Sequence, residues 1–327
     1  MAQPILPQAI VALMAQRAHR IHHYLWHEVR NSWLFYNEAT RNAIRALGWE
    51  PPRPARRPTA NGAAPILDND SGEDFLYMHR QMIALVNTKL AEIGQDDYPK
   101  VEGWQPIPGS GDVDFAVPPA WDTGDAGFNS FLQETKSDDF FTQTIQPWEA
   151  QYGDAAWLSS VSLGELGARI EFTIHNRLHM RFCSEQDNMR PDVDPNRPDD
   201  IDVSWDDPTY NWLGDTYSSH VHPWFWKLHG WVDDRIETWK QANGVTGEVA
   251  WQGTWVGNMP ADMPPHALHA LLTAGRGRRM HEHQDNLKKL LKIVQSSGVR
   301  CHFYDRIELP MSIPITRRAA RSKQRIA

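Results

Sequence analysis

Apolar residues recur at helical spacing in four stretches of the chain, and each stretch predicts a helix. The first covers residues 8–47 without an internal proline, which predicts one long helix or two joined helices. The second covers residues 70–93, with capping residues at its start. The third begins near Ser162, and the fourth covers residues 223–241. Together they predict a mainly α protein built on an antiparallel four-helix bundle with long loops.

Segments rich in Gly, Pro and Asp separate these helices and predict loops. Residues 48–65 predict an exposed loop, because prolines and arginines alternate with small residues there. Residues 95–130 predict a surface-wrapping segment with short turns, and residues 186–207 predict a third loop. Loops of this length are often functional.

The pattern changes after the fourth helix and predicts a different organisation. Residues 1–245 are expected to form the helical core, residues 246–312 a small C-terminal α/β extension packed on it, and residues 313–327 a disordered basic tail. Within the extension, alternating residues predict strands and periodic apolar residues predict helices. The strands are expected at 249–257 and 299–309, and the helices at 266–275 and 278–297.

Composition narrows the range of partners. The chain has 327 residues, of which 41% are hydrophobic, and a formal charge of −8. Nucleic acid is not expected as a partner, because phosphate binding needs a basic surface. No apolar run reaches the length of a membrane span. The chain shows no secretory signal pattern and has only two cysteines, which favours a cytoplasmic protein with reduced thiols. The sequence does not exclude a homo-oligomer.

Six histidines form two sets with the same layout, a pair four residues apart and a third member on a later helix. Residues i and i+4 lie on one face of a helix, so two imidazoles can converge on one ion. Imidazole suits copper, zinc, iron and nickel, whereas dizinc and di-iron sites normally include bridging carboxylates. The layout therefore predicts two adjacent metal ions. The sets are His23, His27 and His79, and His175, His179 and His229.

The segments around these histidines resemble the type-3 dicopper core of the arthropod hemocyanin and phenoloxidase group, with tyrosinases and catechol oxidases as more distant relatives. HHYLWHEV resembles the first copper helix of that group, in which the second and sixth residues are ligands. This implies His23 and His27. SGEDFLYMHRQM resembles the segment that supplies the third ligand of the same copper, which implies His79.

The second copper has its own matching segments. IHNRLH resembles the His-Asn-x-x-His pair of the group, which implies His175 and His179. PWFWKLHGWVDD resembles the segment with the last ligand, which implies His229. One departure is His222, where an acidic residue is expected. The resemblance implies two copper ions as cofactors and O2 as co-substrate.

Three residues are candidates for proton transfer in such a site. The resemblance implies that Asn176 helps to orient a water that deprotonates the phenol, and a helix-surface amide is the alternative. Glu171 and Glu165 precede the second histidine pair, and each could be a base or could accept a hydrogen bond from the outer ring nitrogen of a ligand. Each could equally be a solvated or arginine-paired glutamate.

Other polar residues near the expected site are more ambiguous. Asp233, at i+4 from His229, is expected to orient that imidazole. His220 and His222 could contact substrate, but a capping or surface role is the preferred interpretation. The tryptophans at 224, 226 and 231 are expected to be core residues. No metal is expected at the remaining histidines of the C-terminal part, which are His266, His269, His281, His283 and His302.

The leading hypothesis is a tyrosinase-like copper-dependent phenol oxidase. It would use O2 to hydroxylate a monophenol or to oxidise an o-diphenol or o-aminophenol to the quinone, acting on a small phenolic or tyrosine-containing substrate. The first alternative is a hemocyanin-like protein that binds O2 or copper without turnover, which is favoured if the long loops seal the site. A dizinc or di-iron enzyme is the second alternative, and the all-histidine sets argue against it.

Overall fold

The computed structural model describes residues 6–60, 62–187, 190, 201–258 and 278–299, and these residues are mainly helical. The mainly α class is therefore confirmed. None of the described helices is long and apolar enough to cross a bilayer. The helices are α1 (Gln8–Met14), α2 (Arg17–Ser32), α3 (Glu38–Ala46), α4 (Ser71–Ile93), α5 (Ala126–Lys136), α6 (Asp138–Phe140), α7 (Gln146–Gln151), α8 (Ala155–Leu158), α9 (Leu163–Ile170), α10 (Asn176–Phe182), α11 (Pro223–Ala242) and α12 (Arg278–Ser296).

Two strands and several short helical turns complete the described structure. The strands β1 (Arg56–Thr59) and β2 (Gly62–Pro65) pair antiparallel. Two π-helical turns lie within longer helical runs, at Phe141–Ile145 and Glu171–His175. The 3₁₀ turns are Trp33–Phe35, Val203–Asp206 and Ser219–Val221.

The N-terminal stretch forms three helices, so the prediction of one or two helices over residues 8–47 is wrong. The chain leaves helical geometry at Gln16, which has an extended backbone, and α2 begins at the next residue. A second break follows α2, where the side chain of Asn37 accepts a hydrogen bond from the backbone N–H of Thr40 and caps α3. Such local caps compete with continuation of the helix.

The predicted exposed loop at 48–65 contains the β-hairpin instead. The residues at its base are buried, with Arg56 only 5% exposed. The backbone N–H of Ala55 donates to the carbonyl of Arg30, which ties the hairpin to the end of α2. The proline-rich composition concealed this pairing, because prolines are tolerated in short edge strands.

The bounds predicted for the second helix are confirmed by α4, which ends at Gly94 in a left-handed conformation with φ of 62°. This helix packs most closely on α9. Gly72 and Gly167 make the close approach possible, because a Cβ at Gly72 would lie 1.8 Å from the backbone nitrogen of Ala168. The contact sets the distance between the helices that carry His79 and His175.

The two later helices also follow the prediction. The side chain of Ser162 accepts a hydrogen bond from the backbone N–H of Glu165 and caps α9, and the helical run continues through the π turn into α10. Helix α11 covers the predicted fourth helix. Residues 95–125 are irregular, as expected, and α5 begins at Ala126.

The C-terminal part differs from its prediction where the structure describes it. No strand forms at 249–257, because the backbone N–H groups of Gln252 and Trp255 donate to Glu73 and Asp74 at the start of α4. Helix α12 confirms the prediction for 278–297 and packs on α2. The predictions for 266–275, 300–309 and the tail lie outside the described residues, as does most of the loop at 186–207.

Candidate metal centre

Four helical segments bring the six predicted histidines together in the interior. Helix α2 carries His23 and His27, α4 carries His79, the π turn and α10 carry His175 and His179, and α11 carries His229. None of the six is more than 4% exposed. Two groups of three place their ligand nitrogens within 4.8 Å of one another, and these groups are His23, His27 and His79, and His79, His175 and His229.

The second trio, as the sequence defines it by His175, His179 and His229, contains the shortest distances between ligand nitrogens. The Nε2 atoms of His175 and His229 lie 3.1 Å apart, and those of His179 and His175 lie 3.2 Å apart. Two nitrogens bound at about 2.0 Å to one ion at a tetrahedral angle lie about 3.3 Å apart. The spacing of each of these two pairs therefore fits two ligands of one metal ion, although His179 belongs to neither group of three nitrogens within 4.8 Å of one another.

The first trio is more open and faces the same interior. The rings of His23 and His27 have centroids 4.8 Å apart, and those of His27 and His79 are 5.5 Å apart. Within the described part of the chain, the buried Nε2 atoms of His23 and His79 have no hydrogen-bond partner. Buried polar atoms are rarely left unsatisfied. These two unpaired Nε2 atoms are therefore suited to bind a metal ion.

His79 lies where the two trios meet. Its ring stacks on that of His229 with centroids 4.4 Å apart, and its nitrogen also belongs to the group with His175. The sequence assigns His79 to the first metal alone. The structure places it within reach of both trios, so His79 borders both candidate sites.

Backbone carbonyls hold three of the rings by their outer nitrogens. The Nδ1 of His79 donates to the carbonyl of Phe75 (2.9 Å), and the Nδ1 of His229 donates to that of Phe225 (2.8 Å). The Nδ1 of His179 donates to the carbonyl of Leu213 (2.8 Å). A carbonyl can only accept, so each ring carries its proton on Nδ1 and a lone pair on Nε2. This is the arrangement that metal-binding histidines normally have.

The ring of His23 is held by two successive hydrogen bonds that pass through His220. The Nε2 of His220 lies 3.1 Å from the carbonyl of Met14 and must donate to it, which leaves a lone pair on the Nδ1 of His220. That Nδ1 lies 3.1 Å from the Nδ1 of His23, which also lies 2.6 Å from the carbonyl of Thr216. The proton of His23 is thereby fixed on Nδ1, and its Nε2 lone pair faces the other histidines.

Burial keeps these imidazoles neutral. It lowers the pKa of His23 to about 4 and that of His175 to about 3, because a buried cation loses its hydration. The pKa values of the other four ligand candidates, His27, His79, His179 and His229, lie well below the usual value for the same reason. Neutral imidazole is the form that binds a metal ion.

The three candidates for proton transfer have defined contacts. Asn176 accepts a hydrogen bond through Oδ1 from the Nδ1 of His175 at 3.0 Å, so it orients a histidine of the second trio. Glu171 forms a fully buried ion pair with Arg30 at 2.6 Å. Glu165 binds Arg169 at 2.8 Å, one turn along α9, and is partly exposed. Both glutamates therefore correspond to the arginine-paired alternative.

The expected role of Asp233 is wrong. Its carboxylate accepts from the Nε of Arg80 at 2.7 Å, and the outer nitrogen of His229 is already bound to the Phe225 carbonyl. The residue at i−4, and not the carboxylate at i+4, orients this imidazole. A helical backbone offers its carbonyl towards the residue four positions later, which makes such contacts available without any polar side chain.

The two ambiguous histidines differ in role. His222 caps α11 by accepting from the backbone N–H of Trp224, which confirms the capping interpretation. His220 is fully buried against His23, so a capping or surface role is wrong for it. Trp226 and Trp231 are buried core residues, and Trp224 packs partly buried beside them, as expected.

Aromatic side chains line the histidine cluster, and the sequence interpretation gave them no role there. Phe225 stacks on His229 with centroids 3.7 Å apart, and Phe75 lies 4.6 Å from His79. A signal for both was present, since FLYMH and FWKLH each place a phenylalanine four residues before the third histidine of a set. Trp26 packs edge-on against His27 with centroids 4.9 Å apart.

No family model matches this chain, and no curated protein matches it in sequence.

Proposed function

We propose that the protein is a copper-dependent phenol oxidase in which the two histidine trios each bind one copper ion, on a core arranged as an antiparallel four-helix bundle. One observation carries the proposal. The Nε2 lone pair of His175 faces the Nε2 lone pair of His229 at 3.1 Å and that of His179 at 3.2 Å in a buried site. Lone pairs at that distance repel unless a cation lies between them.

The chemistry of the donors favours copper. All six candidate ligands are imidazoles, and copper has the highest affinity of the common divalent metals for nitrogen sites. Within the described residues, the metal-ligand groups contain no carboxylate or thiolate. A pair of copper ions supplies the two electrons that reduce O2 and the oxidising power that converts a phenol to a quinone.

The chain contributes orientation and exclusion of water. Backbone carbonyls, His220 and Asn176 fix the proton on the outer nitrogen of five of the six histidines, so their inner lone pairs are available without a proton being released. Arg30 holds the carboxylate of Glu171, and Arg169 holds that of Glu165, so neither glutamate is poised to take a phenol proton. Asn176 contributes by orienting His175, and a water-positioning role remains a prediction.

The second candidate is an O2-binding or copper-binding protein without turnover. The burial of all six histidines favours it, since none is more than 4% exposed. Phe225, which is 1% exposed and stacked on His229, adds to the shielding. A phenol has to displace such shielding, whereas dioxygen is small enough to diffuse through a packed interior.

The decisive experiment combines metal counting with turnover. The protein is loaded with copper(I) without oxygen, and bound copper is counted after removal of excess metal. We expect at least two ions per chain and the loss of one in His179→Ala, with no loss in His222→Asn, which keeps the cap of α11. Admission of O2 is expected to produce a new absorption band, and catechol, o-aminophenol or tyrosine is expected to yield trapped quinone.

The outcomes separate the two candidates. A reversible O2-dependent band without quinone from any of the three substrates would favour the non-catalytic protein. Fewer than two ions per chain in the parent protein would contradict the dinuclear centre, and both candidates would then fail.

A further inference from the structure

A second pair of buried imidazoles lies outside the six histidines. His22 on α2 and His283 on α12 are 3% and 7% exposed, and their ring centroids are 5.9 Å apart. His22 adjoins His23 in sequence but projects from another face of α2, where it meets α12 and the indole of Trp49 at 5.3 Å. The two helices therefore bring together histidines that are far apart in the chain.

The hydrogen bonding of His22 leaves a lone pair directed into the protein. Its Nε2 lies 2.8 Å from the carbonyl of Val256, so Nε2 carries the proton. The opposite nitrogen, Nδ1, is therefore an acceptor, and it is buried without a hydrogen-bond partner among the described residues. Four histidines of the metal centre, His23, His79, His179 and His229, have the same arrangement, in which one ring nitrogen donates to a backbone carbonyl.

His283 presents the matching group. Its Nε2 is also buried without a hydrogen-bond partner among the described residues. Leaving one buried polar atom unsatisfied costs about 1 to 3 kcal/mol, and here two such atoms belong to neighbouring rings. Helix α12 packs on α2 at this place, so the arrangement is part of a helix interface and not of a flexible surface.

The donor set restricts the ion that would satisfy both rings. Two neutral nitrogens cannot complete the tetrahedral shell that zinc normally takes, and a buried divalent charge without a counter-ion is expensive. Copper(I) carries a single charge, accepts two nitrogen ligands in a nearly linear arrangement and is compatible with imidazole. Burial lowers the pKa of His283 to about 4, so this ring is neutral near pH 7.

We infer that His22 and His283 form a separate copper(I) site, with Nδ1 of His22 and Nε2 of His283 as its two ligands. The site holds one ion apart from the two trios. This revises the expectation that His283 binds no metal. The binding step requires no redox change, and no proton leaves His22, because its Nδ1 is already a lone pair.

The test counts copper(I) by difference. The full-length protein is titrated without oxygen against a chromophoric copper(I) chelator, and the parent is compared with His283→Ala and His283→Met. We expect His283→Ala to lose one equivalent and His283→Met to retain it, because a thioether also binds copper(I). His222→Asn is the matched control, since it removes a histidine elsewhere and is expected to lose nothing. Circular dichroism checks that α12 remains folded in each variant.

The comparison separates this inference from the proposed function. His179→Ala disrupts the second trio, and the equivalent that depends on His283 is expected to persist in that background. If the parent and His283→Ala bind the same number of ions, the inference is overturned, whatever the trios do. If His283→Met loses the ion as His283→Ala does, ligation by residue 283 is equally contradicted.

Discussion

The Nδ1 atom of His220 lies 3.1 Å from the Nδ1 atom of His23, and the opposite nitrogen of His220 is bound to the Met14 carbonyl. His220→Ala removes one of the two acceptors that hold the proton of His23. We expect copper affinity at the first trio to fall about 10- to 100-fold, the usual effect of losing a hydrogen-bond partner of a metal ligand. Competition titration with copper(I) chelators measures the change.

The matched control for this prediction is His222→Asn, since His222 is also a histidine of the same segment but only caps α11. It should leave both copper affinities within the error of the titration. Equal affinities for His220→Ala and the parent would show that Thr216 alone positions His23.

His79 borders both trios, and its replacement is expected to affect both metal ions. We expect His79→Ala to weaken both copper sites, whereas His27→Ala should weaken only the first. Copper counting at increasing chelator concentration distinguishes one loss from two. A loss confined to the first site would show that His79 acts as the sequence assigns it.

The buried pair of Arg30 and Glu171 is expected to matter for stability. Arg30→Met leaves the Glu171 carboxylate buried without its partner, and breaking a buried pair in this way costs about 3 to 5 kcal/mol. The pair of Arg169 and Glu165 is the control, because the Glu165 carboxylate is partly exposed and Arg169→Met should therefore cost less, about 1 kcal/mol. Urea unfolding of the metal-free proteins measures both. Similar losses of unfolding free energy in the two variants would contradict a special contribution of the buried Arg30–Glu171 pair to stability.

The close contact between α4 and α9 predicts a large effect of one methyl group. In Gly72→Ala the new Cβ meets the backbone of Ala168, which cannot move as a side chain can. We expect destabilisation of about 3 kcal/mol or more, with weaker metal binding because the helices carrying His79 and His175 separate. Gly111→Ala, where the structure shows open space, should be nearly neutral. Thermal unfolding with copper counting tests both.

Acid is expected to destabilise the metal-free protein through its buried histidines. Their pKa values are lowered on folding, to about 4 for His23 and about 3 for His175, so the unfolded chain binds protons first as the pH falls below about 6.5. The free energy of unfolding should therefore fall from pH 6.5 towards pH 4, by about 1.4 kcal/mol per pH unit for each such histidine. Above pH 6.5 this contribution is constant.

Urea midpoints at pH 7.5, 6 and 5 measure this slope. Replacing His23 with a neutral side chain should reduce the pH dependence of the unfolding free energy by the contribution of one histidine. An unchanged pH dependence would contradict a lowered pKa of His23 in the folded protein. Copper affinity of the folded protein should change little between pH 7.5 and 5, because its buried histidines stay neutral until the pH approaches 4.

Helical periodicity predicted the elements that carry the site, and the predicted histidines do come together. The i and i+4 rule placed His23 beside His27 and His175 beside His179, because that spacing depends only on the geometry of one helix. Gly94 marked the end of α4 and Pro223 the start of α11, whereas the expected side-chain cap at the start of α4 does not form. The break at Gln16 escaped prediction, since no proline or glycine marks it.

Contacts between distant segments could not be read from the sequence. His220 lies in a 3₁₀ turn that is distant in sequence from His23, so their contact depends on how the chain folds back. Asp233 does not contact His229, because its carboxylate binds Arg80 of another helix. The strand expected at 249–257 did not form, because the carboxylates of Glu73 and Asp74 accept hydrogen bonds from its backbone N–H groups. In each case a partner from elsewhere in the fold decided the outcome.

The indole of Trp26 gives the metal centre an optical signal of its own. It is fully buried against His27 and lies within 6.0 Å of His79, so a bound transition metal would quench its fluorescence by short-range electron or energy transfer. The emission lost on metal loading, compared between the parent and Trp26→Phe, would follow occupancy of the first trio in real time.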